Sequence, residues 1–155
     1  MYLASPDSPA FYHETIKGHG LKSTPQRLAI YNAVSGLKTH PSADEVYRIV
    51  SGLYTSISFD TVNRTLLKFA EIGLIAFAES VSGVRRFEPD LQVHHHLHCV
   101  KCGAITDFNN PEFDALEAPP DIRRRFMVLS TKVSLTGICA GCAKKEKHRK
   151  QVIRP

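Results

Sequence analysis

The chain has 155 residues, 43% of them hydrophobic, and a formal net charge of +5. This length and composition predict one ordinary domain or two small ones with a folded core. No segment approaches the ~20 apolar residues of a membrane span, and the first residues lack the basic and apolar regions of a signal peptide. We therefore expect a cytoplasmic protein that does not bind membranes. Much of the positive charge lies after residue 143, as in a solvated tail, so charge alone does not establish DNA binding.

The first half of the chain has the pattern of consecutive short helices. Residues 11–19 are predicted to form the first of them. Thr24 is placed as an N-cap with Pro25 at the first helical position, which predicts the start of a second helix. Ser42 and Glu45 have the spacing of a capping box and predict a third.

The fourth predicted helix begins at Ser58 and stops at Gly73, a residue type that commonly follows helix ends. Residues 74–79 and 84–88 then alternate as two strands of a hairpin. Helices followed by a hairpin are typical of a winged helix-turn-helix, so we predict this fold for residues 1–88. A generic α+β domain is the alternative.

In such a fold the last helix before the hairpin is the recognition helix. Arg64 could bind guanine and Asn63 could bind adenine in a major groove. Lys22 and Arg27 are candidates for phosphate contacts, and so are Arg85 and Arg86 on the hairpin. A simply solvated surface is the alternative for each of them. The outward residues of the helix are predicted to be Asp60, Asn63, Arg64 and Lys68.

The composition changes after residue 88, and we predict a hinge at residues 89–93 and a second domain at residues 94–155. Alternation along its first strand places residues 94, 96 and 98 on one face and His95 on the other. The expected elements that follow are a hairpin partner at 104–108, a helix at 111–117, a strand at 126–135 and a helix at 140–150.

The four cysteines form two Cys-X-X-Cys pairs, Cys99 with Cys102 and Cys139 with Cys142. Two such pairs complete the tetrahedral thiolate shell of a structural Zn²⁺ site. Residues 103–138 lie between the pairs, a longer gap than the ~15–20 residues of a zinc ribbon, so we expect zinc to join the two ends of a β-α-β unit. A redox pair is the alternative, but it requires only one motif.

The histidine run before Cys99 predicts a second metal site. His94 and His96 share one strand face and could bind one ion, with Asp107 on the neighbouring strand and Glu88 before the hinge. A nitrogen and oxygen ligand set suits Fe²⁺, Mn²⁺ or Zn²⁺. The competing interpretation is structural, because an isolated histidine is more often part of a core. The pattern assigns no role to His95, His98 or the basic tail.

Taken together, the ordered motifs resemble those of the ferric uptake regulator (Fur) superfamily over residues 14–147. The motifs are Thr24-Pro25-Gln26-Arg27, Thr61-Val62, His94-X-His96-X-X-Cys99-X-X-Cys102-Gly103, Asp107-Phe108 and Cys139-X-X-Cys142.

The resemblance implies an α+β protein with an N-terminal winged helix-turn-helix and a C-terminal α/β dimerisation domain that holds the four-cysteine zinc site. It further implies a homodimeric, metal-dependent repressor of double-stranded operator DNA. By position in the motifs, the regulatory Fe²⁺ or Mn²⁺ ligands are His40, Glu88, His94, His96 and Asp107.

Within the superfamily, Asp107 is similar to the peroxide-responsive (PerR) branch, in which iron and hydrogen peroxide oxidise a ligand histidine; His40 and His94 match those positions. Glu88 is more like the iron-uptake branch, so an iron-uptake regulator is the main alternative, with zinc or manganese sensing behind it. Many relatives have tyrosine where this chain has Asn63, so the chain departs from the family pattern at this position of the recognition helix.

Two interpretations from other classes remain: a small metalloenzyme with an open coordination position, and a zinc-stabilised interaction module. The chain has no His-Glu-X-X-His motif, nucleophile elbow or phosphate loop. Metal-dependent DNA binding would distinguish a regulator from both.

Overall fold

The computed structural model describes residues 9–37 and 39–145. Within them, residues up to 79 and 83–92 form one compact unit, whereas residues 80–82 and those from 93 onwards form a second. A hinge at residues 89–93 stays a prediction.

The first unit contains four helices and a two-stranded antiparallel hairpin. Phe77 in the first strand faces Phe87 in the second. This is the element order predicted for a winged helix-turn-helix. In chain order the elements are α1 (Pro9–Gly18), α2 (Pro25–Gly36), α3 (Ala43–Leu53), α4 (Phe59–Glu71), β1 (Ala76–Ala78) and β2 (Arg86–Glu88).

Side-chain caps start the helices where the sequence predicts them. Thr24 Oγ1 accepts a hydrogen bond from the Arg27 N–H at 3.3 Å, and Pro25 occupies the first helical position of α2. At α3, Ser42 and Glu45 form both hydrogen bonds of the capping box. These contacts satisfy backbone N–H groups that a helix start leaves without partners.

The core of the first unit is formed by the apolar faces of its helices. Tyr12 and Phe69, both fully buried, meet edge to face with ring centroids 6.2 Å apart. Phe87 is also fully buried and belongs to the same core, which therefore includes the hairpin. Packing against this core fixes the helix that carries Asn63 and Arg64.

The second unit is a three-stranded sheet of order β4-β3-β5. Strand β3 pairs antiparallel with β4 and parallel with β5, so the chain between β4 and β5 crosses over, as predicted for a β-α-β unit. The elements are β3 (His95–Cys99), β4 (Ile105–Phe108), α5 (Pro111–Asp114), α6 (Pro120–Arg125) and β5 (Ser134–Gly137).

Three predictions for this unit need correction or cannot be followed. The strand expected at 126–135 is confined to Ser134–Gly137, and apolar side chains that precede it lie in solvent, with Met127 88% exposed. The helix expected at 111–117 is the single turn α5, while α6, which starts after Pro119, was not predicted. Residues 140–145 are helical as expected, and the remainder of that predicted helix lies outside the described residues.

Candidate metal centres and nucleic-acid interface

The sheet of the second unit brings the four cysteines together. Cys99 ends β3 and faces Gly137 of the parallel strand β5, so the second Cys pair follows immediately beside the first. The four cysteine sulfurs all lie within 4.8 Å of one another, and Cys102 Sγ is 3.9 Å from Cys139 Sγ. A tetrahedron with Zn–S bonds of about 2.3 Å has sulfur–sulfur edges of about 3.8 Å. The four thiols thus have the spacing of a zinc shell.

The pKa values of two of these thiols, Cys99 and Cys142, differ sharply. Backbone N–H donation, first of all from Cys139, lowers the pKa of Cys99 to about 6. Hydrogen bonding to the Cys139 sulfur, followed by similar contact with Cys102, raises the pKa of Cys142 to about 12. Four adjacent thiolates repel one another, so the set favours full ionisation only around a cation.

A second cluster lies on the pair β3 and β4. His96 faces Asp107 across the two strands, and His94 Nε2 is 2.9 Å from His96 Nε2. Asp107 Oδ1 lies 3.8 Å from His94 Nε2 and 3.6 Å from His96 Nε2. Two imidazoles bound at a right angle to one ion, each at about 2.1 Å, have nitrogens about 3 Å apart. The geometry of this group fits a shared metal ion.

In the first unit, His40 and Glu88 form a buried pair. His40 Nε2 contacts Glu88 Oε2, and the two residues are 5% and 2% exposed. Glu88 Oε1 also accepts a hydrogen bond from the Asp90 N–H at 2.8 Å. A carboxylate this buried needs a cation or several donors to remain ionised. The pair therefore supplies one imidazole and one carboxylate to a potential ion.

His95 points away from these ligands. Its ring packs against Phe108 and Phe113, with centroids 5.4 and 5.5 Å away. Its Nδ1 accepts the Val133 N–H at 3.2 Å, and its Nε2 lies 3.2 Å from Asp114 Oδ1. These contacts indicate a structural role, which the alternation pattern could not show because it identifies a face but not its neighbours.

The candidate DNA-binding side chains lie on the first unit. Arg27 and Arg64 line one depression of about 450 Å³, and Arg27 and Lys22 line an adjoining one of about 520 Å³. Arg27 Nη1 donates to the Lys22 carbonyl at 2.7 Å, which orients its guanidinium. Asn63 is half-buried and lines neither depression.

Arg86 differs from the sequence-based expectation of a phosphate contact. Its Nη1 donates to Glu45 Oε2 at 2.6 Å and to the His40 carbonyl at 3.3 Å. Its side chain is only 22% exposed. The residue therefore ties β2 to the start of α3. Arg85 is exposed, with its guanidinium 5.5 Å from the centroid of the Phe77 ring.

Comparison with known proteins agrees with this fold. The sequence model of the ferric uptake regulator family matches residues 18–136. The chain belongs to the ferric uptake regulator family. The Bacillus subtilis peroxide operon regulator is 34% identical over 87% of this chain and 93% of its own length. A transcriptional regulator PerR from Clostridium acetobutylicum is 38% identical over 81% of this chain and 91% of its own.

Solved structures give the same fold. The Campylobacter jejuni peroxide stress regulator superposes with a TM-score of 0.66 at 27% identity, covering 84% of this chain and 98% of its own. Membership of the ferric uptake regulator family confirms the interpretation as a regulator rather than a metalloenzyme. Among the helices that the structure describes, none has the length and apolarity to cross a membrane.

Proposed function

We propose that this member of the ferric uptake regulator family is a metal-dependent, DNA-binding transcriptional repressor of the peroxide-responsive type. Fe²⁺ or Mn²⁺ would act as corepressor, and a homodimer would bind double-stranded operator DNA in the cytoplasm. The observation that carries the proposal is a buried set of nitrogen and oxygen donors on each side of residues 89–93, His40 with Glu88 before them and His94 with His96 after them.

We assign His40, Glu88, His94, His96 and Asp107 to one regulatory ion. Each group alone offers an incomplete shell: one imidazole and one carboxylate in the first unit, two imidazoles and one carboxylate in the second. Together they would supply five donors of the type that Fe²⁺ and Mn²⁺ accept, leaving room for a sixth. Only residues 89–93 separate Glu88 from His94 along the chain, so sharing an ion requires no long loop.

Sharing one ion would couple metal binding to DNA binding. The ion favours an arrangement of the units in which all five donors reach it, and this difference in affinity shifts the population. In a dimer, that arrangement would hold two α4 helices for successive major grooves, about 34 Å apart. Without metal, nothing would select this arrangement, and affinity for the operator would fall.

The four-cysteine group is assigned to a separate, structural Zn²⁺. Its sulfur spacing matches a tetrahedral shell, and zinc would join the end of β3 to the residues after β5. The second unit also exposes apolar side chains, among them Val100, Met127 and Leu129, at 56%, 88% and 87%. Apolar exposure of this kind supports self-association into a homodimer.

The peroxide-responsive assignment rests on similarity and on ligand chemistry. Two relatives that cover more than four fifths of the chain are named peroxide operon regulator and PerR. Bound Fe²⁺ would supply an electron to hydrogen peroxide, and His40 and His94 would be the ligands oxidised. An iron-uptake regulator remains the second candidate, because Glu88 resembles that branch in the same position.

The deciding experiment compares iron-loaded and manganese-loaded protein after brief exposure to hydrogen peroxide. Mass spectrometry should detect an added oxygen on His40 or His94 in the iron form alone, accompanied by loss of operator binding. The exposed His13 is the internal control and should stay unmodified in both forms. Unmodified ligand histidines with retained DNA binding would favour iron-uptake control, and operator binding that ignores metal would contradict both assignments.

A further inference from the structure

The recognition helix carries an acidic side chain on the surface that would face DNA, where a negative charge is unfavourable. Asp60 lines the same depression as Arg27 and Arg64, and its side chain is 73% exposed. The DNA that would approach this surface carries one negative charge per ~1.7 Å of helix axis. A carboxylate at this place opposes phosphate binding unless it has a partner of its own.

Helix capping alone does not require Asp60. Ser58 already caps α4 by accepting the Thr61 N–H at 3.1 Å. The helix dipole stabilises a carboxylate in the first turn, but this stabilisation is small at an exposed position. The position therefore allows a further role.

Asp60 is paired with a candidate base-contacting residue. Its Oδ2 lies 3.7 Å from Arg64 Nη1, one helical turn further along α4. Four residues of an α-helix span about 6 Å, which is less than two base-pair steps of about 3.4 Å. The two side chains can therefore meet neighbouring base pairs from one helix face.

We propose that Asp60 is a base-specificity residue that selects cytosine and orients Arg64 toward a nearby guanine. Its carboxylate would accept a hydrogen bond from the cytosine N4 amino group, and Arg64 would donate to guanine O6 and N7. This inference rests on the proposed DNA-binding function and names the bases that α4 would recognise.

The same charge would exclude other sequences. Guanine and thymine offer only acceptors and a methyl group at the major-groove position where cytosine offers an amino group. If one of these bases faced Asp60, its acceptor atoms would repel the carboxylate, and the carboxylate would receive no hydrogen bond. The residue would thus lower affinity for unrelated DNA while raising the preference for the operator.

The test is selection of bound sequences from a random double-stranded DNA library by the metal-loaded, full-length protein. The variants are Asp60→Ala and Asp60→Asn. A matched control is Asp44→Ala, because Asp44 forms an equivalent exposed pair with Arg48 on α3, at 2.5 Å. Affinity for DNA of unrelated sequence is measured in parallel.

Wild-type protein should select cytosine at one position near the guanine that depends on Arg64. Asp60→Ala should reduce that preference by about tenfold and bind unrelated DNA more tightly than the wild type, because a repulsive charge is gone. Asp60→Asn should shift the preference toward adenine, which pairs with an amide. The Asp44 control should select the wild-type sequence.

Unchanged base preferences in both Asp60 variants, with altered thermal stability alone, would overturn the inference and leave Asp60 a helix-stabilising residue. Loss of the cytosine preference in the Asp44 control as well would also contradict it. If the wild-type protein enriches no sequence with any metal, the proposed function itself fails, which is a separate and recognisable result.

Discussion

Arg86 Nη1 lies 2.6 Å from Glu45 Oε2, and this ion pair links the second strand of the hairpin to the first turn of α3. The same guanidinium donates to the His40 carbonyl, and the Phe87 N–H donates to the Pro41 carbonyl at 2.9 Å. The segment before α3 that carries the proposed ligand His40 is thus hydrogen-bonded to β2.

This link has a consequence for metal sensing. Glu88 follows Arg86 by two residues in β2, and His40 precedes the Ser42 cap of α3 by two residues. The contacts that start α3 therefore also position the histidine and carboxylate of the first unit. Displacement of either ligand would be transmitted directly to the helix-turn-helix.

The first prediction concerns Glu45→Gln. Partial desolvation opposes ionisation of Glu45, but hydrogen bonds from Ser42 and the charge of Arg86 outweigh it, so the pKa of this carboxyl is lowered. A lowered folded-state pKa stabilises the protein above the unfolded value of 4.5, and the benefit is lost as pH falls through the folded-state pKa. The variant should lose about 0.5 kcal/mol of unfolding free energy at neutral pH, since the pair is partly exposed.

Urea denaturation of wild type and variant across pH checks this prediction. The difference in unfolding free energy should shrink as pH drops below 4.5, the unfolded value. Asp44→Asn is the control for removing a neighbouring negative charge on α3. If the difference in unfolding free energy between the wild type and Glu45→Gln stayed the same in acid, the charge of Glu45 would contribute nothing to stability.

Local chemistry explains which parts of the fold are predictable from the sequence. The Ser42 cap and its Glu45 partner are three residues apart, so the spacing alone specifies the hydrogen bonds that begin α3. The cysteine pairs are similarly informative, because few structures other than a metal shell use two Cys-X-X-Cys motifs. Both predictions depend on neighbours in sequence.

Predictions that depend on distant partners were less successful. The sequence predicts an exposed phosphate contact at Arg86, because it cannot show that Glu45, remote along the chain, is its partner. Residues 126–133 have the apolar composition of a strand, but composition cannot reveal whether a neighbouring strand is available, and only Ser134–Gly137 pairs. His95 likewise required the positions of Phe108 and Phe113, which only the folded sheet defines.

The second prediction is that zinc binding to the four-cysteine group releases protons. The pKa of Cys142 is raised to about 12, so this thiol keeps its proton until a cation arrives. Because zinc binds thiolates, its uptake should displace at least that proton, and affinity should fall as pH is lowered. Calorimetric titration of zinc-free protein in buffers of different ionisation enthalpy measures the number released.

A cysteine variant provides the structural control for the zinc site. Cys102→Ser should lose zinc and unfold the second unit, as judged by metal analysis and circular dichroism. A variant that remains folded with full zinc content would contradict the structural assignment. His13→Ala, altering an exposed histidine of α1, should leave zinc content unchanged.

The third prediction separates His95 from its metal-binding neighbours. His95→Ala removes a fully buried ring that packs against Phe108 and Phe113 and should cost about 3 kcal/mol of unfolding free energy. Manganese affinity of the folded fraction should change little, whereas His94→Ala should lower it strongly with a smaller loss of stability. A manganese affinity that falls equally in both variants would make His95 a ligand.

The last prediction concerns how Lys22 and Arg64 contact DNA. Lys22 is exposed just before the start of α2 and lines a depression that it shares with Thr61 and Thr65 of α4, so we expect it to bind phosphate beside that helix. Lys22→Ala should weaken binding to all sequences and reduce the slope of log affinity against log salt concentration by about 1. Arg64→Ala should instead lower affinity for the operator more than for unrelated DNA, by about tenfold, because a base contact carries sequence information.

Binding measured by fluorescence anisotropy over a range of salt concentrations distinguishes these two roles. Lys132→Ala, which removes an exposed positive charge from the second unit, is the matched control and should leave the slope unchanged. If Lys22→Ala changed sequence preference while Arg64→Ala changed only the salt slope, the roles of the two residues would be reversed. In that case α4 would lie along the phosphate backbone, and the residues that distinguish the operator would have to be sought near the start of α2.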